Sequence, residues 1–556
     1  MIESTLGTAG RRRVLFLVIA LLAILTGLTS ITNGFALDDV HIIFENHRVH
    51  ALTGWWQLFG QTYWPPEEGA ALYRPLTMLA FALQWVTGGG SPLVFHVVNV
   101  ALYAVVAVAL YRLAVLIVPA PAALIGAALF AVHPVHIEAV ANIVGQEELW
   151  VAAIVLLATT RYIRLRNEGA LPLKDVLLLG VSYLAACMFK EHAIVFPLLI
   201  VAAELTIIDR KVSSMQKLRA LIPTLGALAV AGAAFVAMRS MVIGQVATGG
   251  SNVLLLGAPY STRLFTMLRV FMEWVRLLVW PASLSADYSS HRVDAATSFD
   301  ASMVPGLLVV FAVVAIAWSL RKTQPAVTFG FLWAGVTLLI PSNLILVTGF
   351  VLAERTLFLA SAGLSICAGV GAVHLWRSMS ERGRVQQLAT GTAFAAVLAV
   401  GVIRSATRNV AWHDNERLFR QTVLDVPTSY RAHWMLAEFL TDAGHTQEGL
   451  DEMLIAVVLG RKNDPGLLSF AADRFRMANQ CPRAMGMYRK ALEIDPTLPD
   501  LRFNASVCLL QLGKLDEAKS LAREGLVAAA EDSHLQRVLV VADSLANVSK
   551  KQNPTG

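Results

Sequence analysis

The sequence is short of charge. Asp, Glu, Lys and Arg make up only 15% of its 556 residues, against 56% hydrophobic, and the mean hydropathy is +0.60. A soluble domain carries charge on about a quarter of its residues, so a purely soluble protein is excluded and a polytopic membrane protein is expected. Cysteine is scarce as well. Cys187, Cys367, Cys481 and Cys508 show no metal or redox spacing, two lie inside apolar runs, and all four read as packing residues. No nucleotide-binding glycine loop is evident. The apolar spans do not divide into the two repeated halves common in transporters. No small-x-small cleavage site precedes Asp38, so the first apolar run reads as an uncleaved signal-anchor. The net charge of +6 is explained by basic residues in cytoplasmic loops rather than by nucleic-acid binding.

What is present starts with a doublet. Residues 14–31 are long enough to cross a bilayer and follow Arg11-Arg12-Arg13, which the positive-inside rule keeps in the cytoplasm. Asp38-Asp39, in FALDDVHIIFENH, then falls at the non-cytoplasmic mouth of that span. Adjacent carboxylates repel. One aspartate could cap a following helix, but a second is left over, so the pair is a candidate active site. Basic clusters at Arg161/Arg164/Arg166, Arg210-Lys211 with Lys217/Arg219, Arg321-Lys322 and Arg377/Arg382/Arg384 all fit inside. The segments near 34–74, 189–192, 244–302 and 346–355 then face out. The first of these holds Asp38, Asp39, Glu45, Glu67 and Glu68 against Arg48 and Arg74. His133-Pro134 interrupts the apolar stretch 121–160 and predicts broken or re-entrant helices. Residues 263–281 carry Arg263, Arg269, Glu273 and Arg276 at helical spacing and predict an interfacial helix. About 11 or 13 spans are expected, an odd number that leaves everything after about Arg404 outside.

Ionisable groups in or beside apolar spans are costly and point to function. They are His133, His136, Glu138, Glu147, Glu148, Lys190, Glu191, Glu354 and Arg355, in HPVHIEAVANIVGQEEL, FKEHAI and VLAERTLFL. The alternative is that Lys190-Glu191 and Glu354-Arg355 pair internally and hold helices together. His133 and His136 lie three apart near Glu138, but proline between them and the lack of a further ligand motif argue against metal.

Past residue 405 the chain turns amphipathic and charged, with a period of 34 starting near Arg431, Pro465 and Pro499. Ala484, Tyr488, Ala491 and Pro496 stand where a tetratricopeptide repeat has its small, large, small and terminating residues. Ala518, Ala522 and Gly525 follow in register, and Trp434 marks a less regular first unit. Such hairpins bury their faces only by stacking, so helices near 413–425 and 533–548 are expected to cap them. The fold class is therefore all-α, a membrane bundle over 1–404, a connector over 405–430 and about three repeats over 431–550. Repeats of this kind bind a peptide or protein, or brace a neighbouring domain.

ALDDVHIIFEN, YRPLTML, HPVHIEAVANIVGQEEL, FKEHAI, LSADYS, SNLILVTGFVLAERTLFLASAG and RNVAWHDNERLF occur in that order. Together they resemble the transmembrane O-mannosyltransferases fused to tetratricopeptide repeats, which are similar to the GT-C glycosyltransferases. The resemblance implies an inner-membrane enzyme, in compact form a bacterial relative, with its site and repeat tail on the periplasmic face (lumenal in a eukaryote). It implies a polyprenyl-phosphate sugar as donor and a protein hydroxyl as acceptor. In that reading Asp38 is the base and Asp39 its partner. Arg74, Lys190 and Arg355 face the leaving phosphate, and Glu191, Glu354, Glu148, His136 and Glu138 complete the donor site. No metal ligands are assigned, and a divalent cation is the one cofactor considered. The Gly-Arg-x-Asp pattern after the HPVH segment reads Gly145-Gln146-Glu147-Glu148 here, which loses an arginine. The same fold acting on a lipid or cell-wall glycan, and a non-enzymatic scaffold, are the alternatives.

Overall fold

The computed structural model describes residues 8–68, 72–169, 171–208, 212–244, 255–288, 294–460, 464–498 and 500–552. Arg210-Lys211 and Pro499, used above, lie outside the described residues. Among the described residues every regular element is a helix, the form in which one segment satisfies its own backbone inside lipid. The chain separates into two compact units between Leu418 and Phe419, within the stretch 405–430 read as a connector.

Among the described residues of the first unit seven helices are long and apolar enough to cross a membrane, which makes this an integral membrane protein. They are Arg12–Ser30, Pro92–Ile117, Ile143–Glu168, Met215–Ile243, Ala301–Leu320, Glu354–Glu381 and Arg384–Trp412. Ala120–Ala131 and Pro134–Ala141 form an eighth candidate, bent by 51° at the break expected at His133-Pro134. Pro75–Gly88, Leu173–Phe189, Phe196–Thr206 and Pro325–Thr337 are shorter, at 14, 17, 11 and 13 residues. A rise of about 1.5 Å per residue leaves them short of a hydrocarbon core of about 30 Å. Eleven or thirteen crossings would need such short helices to cross too. The amphipathic stretch forms the helix Tyr260–Val279, outside the apolar spans, with Met267, Val270, Trp274 and Leu277 buried.

The first and last apolar helices end against each other. Asn409 donates to the Thr26 carbonyl at 2.8 Å, and Thr29 Oγ1 donates to the Ala406 carbonyl at 2.8 Å. Asn33 donates to the Asn409 carbonyl at 2.9 Å, and the Gly34 N–H to the His413 carbonyl at 2.8 Å.

Among its described residues the second unit contains three helical hairpins. They are Tyr430–Asp442 with Thr446–Leu459, Pro465–Met477 with Cys481–Ile494, and Leu501–Gln511 with Leu515–Ala528. The helix Ser533–Gln552 follows them, and Asn415–Asp425 precedes them across the unit boundary. Ala484, Tyr488, Ala491, Ala518 and Ala522 are fully buried between the hairpins, as the repeat register requires. One expectation fails. Cys481 and Cys508, read as packing residues, form a disulfide with Cα atoms 5.3 Å apart across 27 residues of sequence. Stacking brings the start of one helix onto the middle of the next repeat's first helix, a proximity that linear spacing does not reveal. Cys187 and Cys367 are free.

Candidate active site

Asp38 and Asp39 point different ways. Asp39 is 1% exposed and accepts three backbone N–H groups: Ala36 at 3.3 Å, Ile143 at 3.2 Å and Val144 at 2.8 Å. It makes no side-chain cap on the helical turn that follows it. Burial raises its carboxyl to about 7, against the three amides and with a small push from Asp38. The 142–145 turn can present those amides because Gly145 packs on Ala139: a Cβ at Gly145 would stand 2.6 Å from the Ala139 carbonyl oxygen. Asp38 is half-buried, and its Oδ2 lies 3.6 Å from Arg355 Nη1. Arg355 Nη1 also meets Glu138 Oε1 at 3.1 Å, and its backbone N–H donates to Glu138 Oε2 at 2.9 Å. Glu138 therefore orients the guanidinium that faces Asp38.

Arg74 begins a second chain of charges. It donates to both oxygens of Glu191 at 2.8 and 2.5 Å, and to both oxygens of Glu147 at 2.9 and 2.7 Å. Lys190 bridges Glu147 and Glu148, the latter at 2.8 Å. Burial alone would raise the Glu191 carboxyl, but Arg74 overrides it and holds it at about 2. Arg74 also lies over the Tyr63 ring, 5.0 Å from its centroid. Glu147 and Glu148 lie within Coulombic reach of Arg355, so the two chains belong to one cluster.

The other residues expected at the site anchor elements around it. Glu354 accepts the Ser285 N–H at 2.7 Å and the Tyr288 hydroxyl at 2.5 Å, tying the LSADYS segment to the start of the helix Glu354–Glu381. His136 has both ring nitrogens engaged, Nδ1 with the Tyr103 hydroxyl at 2.9 Å and Nε2 with Ser361 Oγ at 2.8 Å. His133 Nε2 meets the Leu278 carbonyl at 3.0 Å. Among the described residues no group of three or more His, Cys, Asp or Glu is arranged to hold a metal ion, and the cluster's buried acids are engaged by cations or amides. A divalent ion does not fit these residues as they stand.

Two features escape sequence reasoning. Gln146, standing where the resemblance expects arginine, lies in a neutral amide cluster. It donates to Asn99 Oδ1 at 2.6 Å and exchanges hydrogen bonds with Gln84 at 2.7 and 3.0 Å, so no charge is needed there. His192 Nε2 lies 3.3 Å from Glu148 Oε2; FKEHAI contained it, but only Lys190 and Glu191 stood out as charged.

A tetratricopeptide-repeat family model matches residues 476–540. The chain is 27% identical over 534 residues to "Protein O-mannosyl-transferase Tmtc1" of Drosophila melanogaster, covering 79% of this chain and 60% of that one. It is 26% identical over 484 residues to "Protein O-mannosyl-transferase TMTC4" of Homo sapiens, covering 77% and 64%. It thus spans about three fifths of the length of these relatives. Among solved structures, the Archaeoglobus fulgidus oligosaccharyltransferase with a tethered acceptor peptide aligns at 12% identity and a TM-score of 0.42, over 78% of this chain and 58% of that one. With its apolar bundle, its repeats and these sequence matches, the chain is a relative of the transmembrane O-mannosyltransferases that carry tetratricopeptide repeats.

Proposed function

We propose that this chain is a membrane glycosyltransferase that moves a hexose, mannose by likeness to its relatives, from a polyprenyl-phosphate donor to a hydroxyl group of a protein. The relatives' names support the reaction class, and the repeats support a protein acceptor. The observation that carries the reading is the half-buried pair Asp38 and Arg355, a base and a cation 3.6 Å apart just beyond the first span. Asp38 takes the proton of the acceptor hydroxyl as its oxygen attacks the anomeric carbon. The bond from that carbon to the phosphate oxygen breaks, the lipid phosphate leaves with the electron pair, and attack from the opposite side inverts the centre. Arg355 meets the charge on the leaving phosphate. Asp39 holds the loop, and Arg74 and Lys190, whose charges are taken up by carboxylates, brace the site.

The non-cytoplasmic side is the natural face for this chemistry. Arg11–Arg13 keep the start of the first span inside. The last span ends beside the end of the first, so the chain leaves the membrane on the doublet's side. The Cys481–Cys508 disulfide fits the oxidising compartment that this orientation gives the repeats.

The test is transfer from polyprenyl-phosphate mannose to a serine- and threonine-containing peptide by the purified full-length protein. Asp38→Asn is expected to lower the rate by roughly 10²- to 10⁴-fold, the range for loss of a general base. Full activity of that variant would remove Asp38 from the chemistry. Sugar arriving on lipid or glycan but never on peptide would change the acceptor and leave the transfer intact.

A further inference from the structure

The turn that leads into the two aspartates is held from far along the chain. Leu37, immediately before Asp38, has φ of +56°, a left-handed conformation that a branched residue seldom adopts unless its surroundings impose it. Its N–H donates to Asn415 Oδ1 at 2.6 Å, across 378 residues of sequence. Asn415 is the first residue of the helix Asn415–Asp425. Asp414 fixes that helix start by accepting the Arg417 N–H at 2.8 Å. Behind it, the buried Asn409 and the His413 carbonyl bond to residues 26–34. RNVAWHDNERLF is thus the segment that grips the loop carrying the doublet, and the chemistry proposed above makes no use of it.

We propose that Asn415 is a positioning residue for Asp38: by accepting the Leu37 N–H it holds the left-handed turn that aims Asp38 at Arg355 while Asp39 turns into the protein. This rests on the reading of Asp38 as the base. The chain reaches its repeats through the same segment, so whatever moves residues 409–415 also moves the proposed base.

The experiment uses the full chain in detergent, with transfer from polyprenyl-phosphate mannose to peptide as one readout and hydrogen exchange over residues 35–40 as the other. Asn415→Ala is expected to lower kcat by between about 10-fold and 100-fold, as a displaced reacting group does, with little change in the donor KM and with faster exchange over 35–40. Asn415→Asp keeps an acceptor oxygen and is expected to restore both readouts. Adding Leu37→Gly to Asn415→Ala is expected to recover part of kcat, because glycine adopts positive φ without a clamp. Unchanged exchange in Asn415→Ala overturns the clamp. Faster exchange at unchanged kcat overturns the positioning role, as does an equal loss of kcat in all three variants. If Asn415→Ala does not fold, the Leu37→Gly/Asn415→Ala double variant is compared with Leu37→Gly alone: matching kcat and exchange over 35–40 support the clamp, and a further loss of kcat of about 10-fold or more overturns it. A wild-type chain that transfers no sugar sinks the functional reading, and the clamp then stands or falls on exchange alone.

Discussion

Arg74 offers the sharpest test of how charge is organised here. It is 7% exposed and makes four charge-assisted hydrogen bonds to Glu147 and Glu191. Arg74→Met keeps the length and removes the charge. Glu147 still meets Lys190, so Glu191 bears most of the loss. Its carboxyl, held at about 2 against an ordinary 4.5, has a folded value below its unfolded one. Its stabilising contribution is therefore present above about pH 4.5 and lost as pH falls through about 2. At 1.36 kcal/mol per pH unit this is roughly 3 kcal/mol at neutral pH. The Glu191 side chain is 32% exposed, and solvent screening trims that to roughly 1–2 kcal/mol. The desolvated Glu147 contact brings the total for Arg74→Met towards the roughly 3–5 kcal/mol typical of a broken buried pair.

The assay is a double-mutant cycle of Arg74→Met and Glu191→Gln, read as the stability of the detergent-solubilised full chain. Glu191→Gln removes the carboxylate that Arg74→Met leaves unpaired, so the double variant should lose less than the two single losses together, by roughly 1–2 kcal/mol. Strict additivity, or an Arg74→Met protein as stable as the parent, would refute the strut. If Arg74 bound phosphate instead, its loss would raise the donor KM and spare stability.

Two further outcomes are expected. Asp39 has a folded value near 7, above its ordinary 3.8, so its contribution is full below about pH 4 and lost as pH rises through about 7. Asp39→Asn should flatten the fall in stability between about pH 4 and 7, which denaturation at several pH values measures; an unchanged slope would sink the assignment. Cys481→Ser opens a bridge spanning 27 residues and should cost the repeat unit about 3 kcal/mol. Hydrogen exchange over 465–528 in the full chain reads that loss, and wild-type protein whose Cys481 and Cys508 alkylate without reductant would contradict the bridge.

How much of this was legible in the sequence depends on how far apart the partners are. The membrane class, the break at His133-Pro134 and the hairpin register are periodic or local, and a linear reading finds them. Asp38-Asp39 also stood out locally. The division of labour within it did not, because the amides of Ile143 and Val144 that turn Asp39 inward lie 104 and 105 residues away. Glu354 was grouped with Arg355 by adjacency, yet its partners Ser285 and Tyr288 are 69 and 66 residues distant. The number of crossings is blurred for another reason: helices of 11–17 residues are as apolar as true spans, and hydropathy does not measure how deep they sit.

The three cations were equivalent in the sequence, and what distinguishes them is the carboxylates they hold. Around the site Asp38, Glu138, Glu147, Glu148 and Glu191 face Arg74, Lys190 and Arg355. A phosphate brought to Arg74 or Lys190 would have to displace Glu147, whose side chain is 5% exposed, and leave a buried charge unpaired at roughly 3–5 kcal/mol. At Arg355 it would displace Asp38, held at 3.6 Å, the longest ion pair in the cluster, and 26% exposed, which water or an incoming hydroxyl can satisfy at far smaller cost. In the proposed reaction, a donor phosphate meeting Arg355 would therefore free Asp38 beside the sugar at the moment a base is required. Arg355→Lys, which keeps the charge but loses the planar fork, should then raise the donor KM more than it lowers kcat.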